Sequence, residues 1–161
     1  IGRVEYPSRK VTLAQDAARR GTRTLALHEK LDPHCGLIQF FPGMSPDILK
    51  AYEGYHGLVI AGTGLGHTST TLIPQLRHLT DSGTLVIMTS QCMHGRVCDR
   101  VYDTGRDLLN AGVIEGGDML AEVALVKLMW VLGNEPDKQK AATLMQEDLK
   151  GECTRRSAHG L

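Results

Sequence analysis

The sequence has no net charge and no long apolar run. Its 161 residues include 18 basic and 18 acidic side chains, so no overall field attracts nucleic acid or an anionic membrane surface. No stretch approaches the roughly 20 consecutive apolar residues of a membrane-spanning helix, and the pattern of a secretory signal peptide is not seen. We therefore expect a cytoplasmic protein with no membrane partner.

Cysteine is also scarce and irregularly spaced. The four thiols, Cys35, Cys92, Cys98 and Cys153, lie in a chain long enough to bury a core without disulfides, so we expect them to be reduced. Cys92, His94 and Cys98 invite a metal interpretation, but a fourth ligand is missing and the spacing matches no standard zinc module. We therefore expect no metal ion and no cofactor in this chain.

An initiator methionine is missing, and Ile1 leads directly into charged and polar sequence. This start is typical of a fragment, a processed product or one domain of a longer protein. Residues 1–34 are polar and broken at Pro7 and Gly21, which predicts a connector with little core of its own. Residues 1–13 are expected to form a hairpin or an extended segment.

From Cys35 onward, apolar strands alternate with helices. Short apolar runs predict strands over 36–41, 58–61 and 84–88. Periodic segments and their capping residues predict helices from 45 to 54, from 69 to 81, and over 102–111, 121–132 and 136–150. This alternation predicts an α/β fold, with a small open parallel sheet of about four strands flanked by helices.

The helix predicted over 121–132 carries three charged residues of interest. Asp118 and Glu122 lie at its amino end, where acidic side chains usually serve as caps. Lys127 lies on an otherwise apolar surface, so we expect it either to extend to solvent or to pair with an acidic residue from another helix or chain.

A glycine-rich turn, Gly62-Thr63-Gly64-Leu65-Gly66-His67, follows the second apolar strand. Turns at the carboxyl edge of a parallel sheet build ligand sites. The dinucleotide fingerprint requires glycine at the position of His67 and an acidic residue where Thr89 and Ser90 stand, so a dinucleotide is not expected. Two interpretations of this turn have equal weight: its glycines only permit a tight turn, or they also contact a ligand. Ser90 and Cys92 would act as nucleophiles only beside a base.

Several motifs follow one another in a fixed order: Gly62–His67, Met88–Cys92, Gly95–Val97, Tyr102–Arg106, Ala111–Ile114, Asp118–Leu120, Val126–Gly133 and Gly151–Glu152. In this order they resemble the C-terminal domain of the L-asparaginase-like amidohydrolase family. The resemblance implies a Rossmann- or flavodoxin-like α/β domain over 35–152. It also implies that residues 1–34 connect this domain to a catalytic domain absent from the sequence, and that 153–161 form a tail.

Within this family, the motifs are most similar to the branch formed by the D-type subunits of archaeal glutamyl-tRNA(Gln) amidotransferases. The Gly-Leu-Gly-His turn and Phe41-Pro42-Gly43-Met44 resemble that branch. Free cytosolic asparaginases typically have asparagine at the position of His67 and threonine at that of Leu120. The C-terminal domain of a cytosolic type I L-asparaginase and a stand-alone small-ligand-binding module are the alternatives.

The family resemblance implies that the chemistry lies elsewhere. The nucleophilic threonine, a second threonine, an aspartate and a lysine belong to an N-terminal domain, in Thr-Gly-Gly-Thr and His-Gly-Thr-Asp-Thr motifs that this sequence lacks. No catalytic residue and no amidase activity are therefore expected in this chain alone.

In full-length relatives the threonine attacks a side-chain amide, releases ammonia and leaves an acyl-enzyme that water cleaves. In the D-type branch the amide donor is glutamine, and ammonia passes to the E-type subunit of the amidotransferase. That second protein uses ATP and Mg²⁺ to convert Glu-tRNA(Gln) to Gln-tRNA(Gln). The resemblance therefore implies the E-type subunit and, through it, tRNA(Gln) as partners.

The resemblance further implies a homodimer in which this domain borders the active site of its neighbour. His67, with Gly64 and Gly66, and more weakly Tyr102, are expected on the substrate side or at the contact between subunits.

Free cytosolic relatives carry an effector pocket near the segment matching Thr89, Ser90 and Cys92. Thr89 stands where those relatives have a charged residue. The resemblance therefore implies a remnant of that pocket.

Overall fold

The computed structural model describes residues 2–13, 21, 26–98 and 103–154. The strands are β1 (Gly2–Val4), β2 (Val11–Leu13), β3 (Cys35–Gln39), β4 (Gly57–Gly62), β5 (Leu85–Ser90) and β6 (Ile114–Glu115). The α-helices are α1 (Ile73–Asp81), α2 (Asp103–Asn110), α3 (Ala121–Asn134) and α4 (Lys138–Gln146). Short 3-10 helices cover Pro46–Tyr52 and Thr70–Leu72. None of the helices within these ranges has the length and apolarity needed to cross a membrane.

The central sheet has the order β3-β4-β5-β6, and every neighbouring pair is parallel. Cys35 lies opposite Gly57, and Gly57 lies opposite Leu85, so β3, β4 and β5 begin at one level. All four strands consequently deliver their following loops to the same carboxyl edge. The predicted α/β fold, with about four parallel strands flanked by helices, is confirmed.

Alternate residues of the two central strands point to opposite faces of the sheet. One face buries Leu58, Ile60, Val86 and Met88 against leucines of the 3-10 helices, α1 and α2: Leu49, Leu72, Leu76, Leu79 and Leu108. The other buries Val59, Ala61, Leu85 and Ile87 against α3 and α4, through Ala124, Leu128, Val131, Ala141 and Met145. Both faces of the sheet are covered, as continuous apolar strands require.

Two predicted helices are shorter or tighter than expected. Pro46–Tyr52 is a 3-10 helix whose N-cap Ser45 accepts a hydrogen bond from the backbone of Asp47. The last helix begins after its N-cap Asp137 and ends at Gln146 instead of residue 150. It ends early because the amides of Leu149 and Lys150 turn to donate to the Glu152 carboxylate.

The expected capping of α3 by Asp118 was wrong, whereas Glu122 lies in the first turn as expected. Leu120 is the N-cap and makes no side-chain hydrogen bond. Asp118 instead accepts hydrogen bonds from the backbone and side chain of Thr154, a residue 36 positions later that no local pattern could indicate. Helix α3 is buried against the sheet and α4, but Val123 and Val126 on its outer side are exposed.

The segment before β3 is held against the second half of α3. Trp130 Nε1 donates to the carbonyl of His28 at 2.9 Å, Asn134 Nδ2 donates to that of Lys30 at 2.9 Å, and Asp32 N donates to Met129 O at 2.8 Å. Strands β1 and β2 pair antiparallel and are exposed along their length. Of the two forms expected for residues 1–13, the hairpin is therefore observed. The domain boundaries at 34/35 and 152/153 stay predictions.

Candidate functional site at the carboxyl edge of the sheet

The glycine turn after β4 closes on itself. Thr63 N donates to His67 O at 2.9 Å, and His67 N donates back to Thr63 O at 2.9 Å. The Thr63 hydroxyl adds a third bond to the same His67 carbonyl at 3.2 Å. The turn therefore holds Gly64 and Leu65 exposed at its tip and leaves His67 half-buried at its base.

Two of the glycines are required by the close approach of neighbouring groups. A Cβ on Gly62 would lie 2.8 Å from the carbonyl carbon of Gly66 and 2.9 Å from the amide nitrogen of His67. Gly66 has a φ of +94°, which L-residues rarely adopt, and its Cβ would meet Val97 at 2.8 Å. The turn needs these glycines for its own geometry, whether or not it also contacts a ligand.

The hydroxyls at the end of β5 form hydrogen bonds with the backbone of β4 and of the glycine turn. Thr89 is fully buried and donates to Ile60 O at 3.0 Å. Ser90 Oγ donates to Gly64 O at 2.5 Å and accepts from Cys92 N at 3.0 Å. The partners of Ser90 are backbone groups rather than a base, so its hydroxyl is not activated as a nucleophile.

Gln91 joins three strands across the edge. Its Nε2 donates to Phe40 O at 2.7 Å and to Ala61 O at 2.8 Å, and its Oε1 accepts from Gln39 Nε2 at 3.2 Å. Its backbone N donates to Gly62 O at 2.9 Å. The sequence patterns did not single out this residue, although an amide side chain directly after a buried strand was the available signal.

Residues 96–98 form a strap between the loops that follow β4 and β6. Cys98 N donates to Leu65 O, and Val97 N donates to Gly117 O, each at 2.9 Å. Arg96 contacts Asp118 at 3.1 Å and donates to Thr154 O and Oγ1. Burial pushes the pKa of Asp118 upward, but its hydrogen bonds with Thr154 and the charge of Arg96 outweigh this and hold the pKa below its usual value.

A cavity of about 170 Å³ lies between this strap, the end of α4 and the tail. Arg96, Glu115, Gln146 and Thr154 supply polar groups to its wall, and Cys153 supplies a thiol. Burial, the largest influence, raises the pKa of Cys153, so the thiol stays protonated at neutral pH and is a poor nucleophile.

A buried ion pair fixes the tail beneath this edge. Lys127 Nζ lies 2.7 Å from Glu152 Oε1, and the two side chains are only 6% and 13% exposed. Lys127 also donates to the carbonyl of Glu147. Lys127 was expected either to extend to solvent or to pair with an acidic residue. It forms the pair, and its partner belongs to the same chain. Burial alone would raise the pKa of Glu152, but the bonds from Lys127, Leu149 N and Lys150 N lower it to about 2.

The sequence-predicted site residues fall into three groups. Gly64, Gly66 and His67 share one turn, and Ser90 reaches that turn through the Gly64 carbonyl. Cys92 is exposed in the following loop. Tyr102 lies outside the described residues.

Two groups of potential metal ligands occur among the described residues. One is Asp148, Glu152 and Cys153, but its Glu152 is already bound by Lys127 and two backbone amides. The other is Asp32, His34 and His56, at the opposite edge of the sheet. The sequence patterns did not indicate this second group.

The described part of this edge is a hydrogen-bonded frame. The hydroxyls of Thr63, Thr89 and Ser90 donate to backbone carbonyls, that of Thr68 is buried without a hydrogen-bond partner among the described residues, and the exposed tip offers backbone groups beside His67. Such a surface can position or enclose a small polar ligand.

The fold is that of a parallel α/β domain, and comparisons with known proteins identify its family. Residues 34–145 match the Glutaminase/Asparaginase C-terminal domain. The chain belongs to this family.

The chain is similar to proteins described as the D-type subunit of glutamyl-tRNA(Gln) amidotransferase. It is 52% identical to that of Methanosarcina barkeri over 157 residues, covering 96% of this chain and 37% of the relative. It is 54% identical to that of Archaeoglobus fulgidus over 154 residues, covering 94% of this chain and 36% of the relative. The chain thus spans little more than a third of these relatives. The resemblance inferred from the motifs is confirmed.

Solved structures show the same fold. The thermostable L-asparaginase from Thermococcus kodakarensis is 33% identical, with a TM-score of 0.82 over 97% of this chain and 48% of that one. L-asparaginase I from Vibrio cholerae is 26% identical, with a TM-score of 0.80 over 90% of this chain and 46% of that one.

Proposed function

We propose that this chain is the C-terminal domain of the glutaminase subunit of a tRNA-dependent amidotransferase. It serves assembly and forms one wall of the site where glutamine releases ammonia. The observation that carries this proposal is the identity of about one half to D-type amidotransferase subunits over nearly the whole chain. The structure supports it, because the hydroxyls of Thr89 and Ser90 at the carboxyl edge donate to backbone carbonyls.

In this role the turn at 62–67 faces the active site of a neighbouring subunit. The exposed backbone at Gly64 and the imidazole of His67 are proposed to lie on the substrate side, with Gly66 fixing the turn. Thr89, Ser90 and Cys92 are proposed as the remnant of an effector pocket, and of these three only Cys92 is exposed.

The wider assembly follows from the same proposal. Glutamine is the amide donor in the cytoplasm, and ammonia passes to a partner protein of the E type. ATP, Mg²⁺ and Glu-tRNA(Gln) bind at that partner, and tRNA(Gln) reaches this chain only through the complex.

A homodimer is proposed to form through the outer side of α3. Leu120, Val123 and Val126 are spaced three residues apart and are exposed, so they lie on one side of the helix. A row of exposed apolar side chains is typical of a surface that another protein covers.

Sedimentation velocity tests the dimer. Val126→Lys should shift the purified chain toward the monomer, because it places a charge within the apolar row. Ile48→Lys is the control, since Ile48 is also exposed but lies on the opposite face of the sheet. A monomeric wild type, or equal effects of both variants, would contradict the proposed interface.

Ammonia release tests the division of labour. The purified chain should release no ammonia from glutamine or asparagine, because its nucleophile lies in another domain. Turnover that rises in proportion to the concentration of the pure chain would refute this assignment.

The asparaginase alternative is favoured by the Thermococcus kodakarensis structure. In that case the natural protein would release ammonia from free asparagine without a tRNA-binding partner. Measuring both amide donors on the protein isolated from its own cell distinguishes the two. A stand-alone ligand-binding module would instead bind glutamine or asparagine saturably with no turnover.

A further inference from the structure

Three potential metal ligands meet at the amino edge of the sheet. Because Cys35 pairs with Gly57 in the parallel ladder, the preceding residues His34 and His56 lie side by side. Asp32 reaches both: its Oδ2 is 2.7 Å from His56 Nδ1, and its Oδ1 is 3.6 Å from His34 Nδ1. One ligand atom from each residue lies within 4.8 Å of the other two.

The backbone beneath these side chains is held in place. His56 N and Gly57 N both donate to His34 O, at 2.8 Å and 3.3 Å. His34 N donates to Asp32 Oδ1 at 2.9 Å, and Asp32 N is bonded to Met129 O of α3. The three positions are therefore brought together by the fold itself.

The donor atoms are also accessible. The side chains of His34 and His56 are 66% and 57% exposed, whereas that of Asp32 is 16% exposed. An ion can thus approach from solvent, with the carboxylate at the base of the site and an imidazole on either side.

The donor chemistry selects the class of ion. Two imidazole nitrogens and one carboxylate oxygen suit Zn²⁺ and neighbouring transition metals, while Mg²⁺ and Ca²⁺ prefer oxygen ligands throughout. Cys35 follows His34 directly, but it packs among the apolar residues beneath α3. The protein therefore supplies three ligands, and water completes the coordination.

We propose that Asp32, His34 and His56 form a binding site for a divalent transition-metal ion of the zinc class. The ion would link the segment entering β3 to the segment entering β4, at the point where the connector joins the sheet. This site is separate from the carboxyl edge, so its existence does not depend on the function proposed there.

Titration of untagged, EDTA-treated and dialysed chain with Zn²⁺ tests the proposal. Isothermal titration calorimetry should show one saturable equivalent per chain, and Co²⁺ should give a visible absorption band that Zn²⁺ removes. His34→Ala and His56→Ala should each weaken binding by at least about tenfold, since each deletes a ligand. Zn²⁺ should raise the melting temperature of wild type more than that of either variant.

His78→Ala is the matched control. His78 is also exposed and lies 3.9 Å from a carboxylate oxygen of Glu53, but among the described residues it belongs to neither group of three potential ligands. This variant should keep wild-type affinity. Because both site histidines are exposed, their variants should fold, which the melting temperature without metal verifies. The proposal is overturned if wild type shows no saturable binding, if the His34→Ala/His56→Ala double variant retains it, or if His78→Ala weakens binding equally.

Discussion

The two edges of the central sheet use their polar residues in opposite ways. At the carboxyl edge, Thr89, Ser90 and Gln91 bind backbone carbonyls of neighbouring strands and turns. At the amino edge, Asp32 and His56 bind each other, and the imidazoles of His34 and His56 remain open to solvent. One edge uses its polar groups to hold the frame, and the other leaves its ligand atoms accessible.

This difference shows why a polar cluster at a carboxyl edge need not be a catalytic centre. Parallel strands bring their following loops together there, and hydroxyls are needed first to tie those loops. In the function proposed above, this edge contributes a fixed wall to the site. If the comparison is correct, substitutions at the carboxyl edge should cost stability, while those at the amino edge should cost little in the absence of metal.

The largest expected effect is at the ion pair beneath the carboxyl edge. Lys127→Met should lower the free energy of unfolding by about 4 kcal/mol, because it leaves the Glu152 carboxylate buried without its cation. Urea unfolding measures this change. Lys140→Met on the exposed side of α4 is the control and should stay within about 0.5 kcal/mol of wild type; equal losses would mean that the pair does not hold the tail.

The same pair predicts a response to acid. The pKa of Glu152 is lowered from 4.5 to about 2 by folding, so its contribution is present above the unfolded pKa and is lost as pH falls from about 5 toward 2. At roughly 1.4 kcal/mol per pKa unit, the loss is roughly 3.5 kcal/mol. The free energy of unfolding measured across this pH range should decrease less for Glu152→Gln than for wild type. Identical profiles of the two proteins would contradict the assignment of this acid response to Glu152.

Gly62→Ala should cost about 2 kcal/mol, within the range for overpacked sites. The added Cβ would press on backbone of the glycine turn at 2.8 Å. Gly54→Ala is a useful comparison, because Gly54 has a φ of +84° but open space around its Cβ position; backbone strain alone should cost about 1 kcal/mol. Thermal unfolding measures both variants. A larger loss of stability for Gly54→Ala than for Gly62→Ala would refute the close approach of the turn backbone to Gly62.

Gln91→Ala should cost about 1 kcal/mol, since it removes side-chain hydrogen bonds that join β3, β4 and β5. Gln75→Ala removes a single bond to the exposed Glu53 carboxylate and should change stability less. Urea unfolding measures the loss of stability in both variants. If Gln91→Ala and Gln75→Ala lose equal stability, the Gln91 side chain does not hold the carboxyl edge together.

The smallest effect is expected at the amino edge. Without metal, His34→Ala should change the free energy of unfolding by less than about 0.5 kcal/mol, because the side chain is largely exposed. Urea unfolding in EDTA measures it. A loss comparable to that of Gln91→Ala would remove the contrast between the two edges.

The sequence contained enough information to predict the layered sheet. Runs such as Leu58–Ala61 and Leu85–Met88 are apolar throughout, because parallel strands are covered on both faces. Strand β6, with only Ile114–Glu115, is too short to show a pattern. The glycine turn was also visible, since its geometry depends on residues close in sequence.

Contacts between distant residues were beyond the sequence patterns. Asp118 was expected to cap α3, but it binds Thr154 because the tail folds back across the edge. The grouping of His34 with His56 depends on the parallel register of β3 and β4. Once that pairing is known, a histidine immediately before each strand becomes an informative signal.

The most direct test of the central claim is the intact mass and N-terminal sequence of the protein isolated from its own cell. The alignment covers 96% of this 17.6 kDa chain and 37% of the Methanosarcina barkeri relative, so the account predicts a natural protein of about 46 kDa. The threonine motifs should lie upstream of this domain. A natural protein of about 17.6 kDa would contradict the account, because its carboxyl edge would then have no catalytic domain to complete.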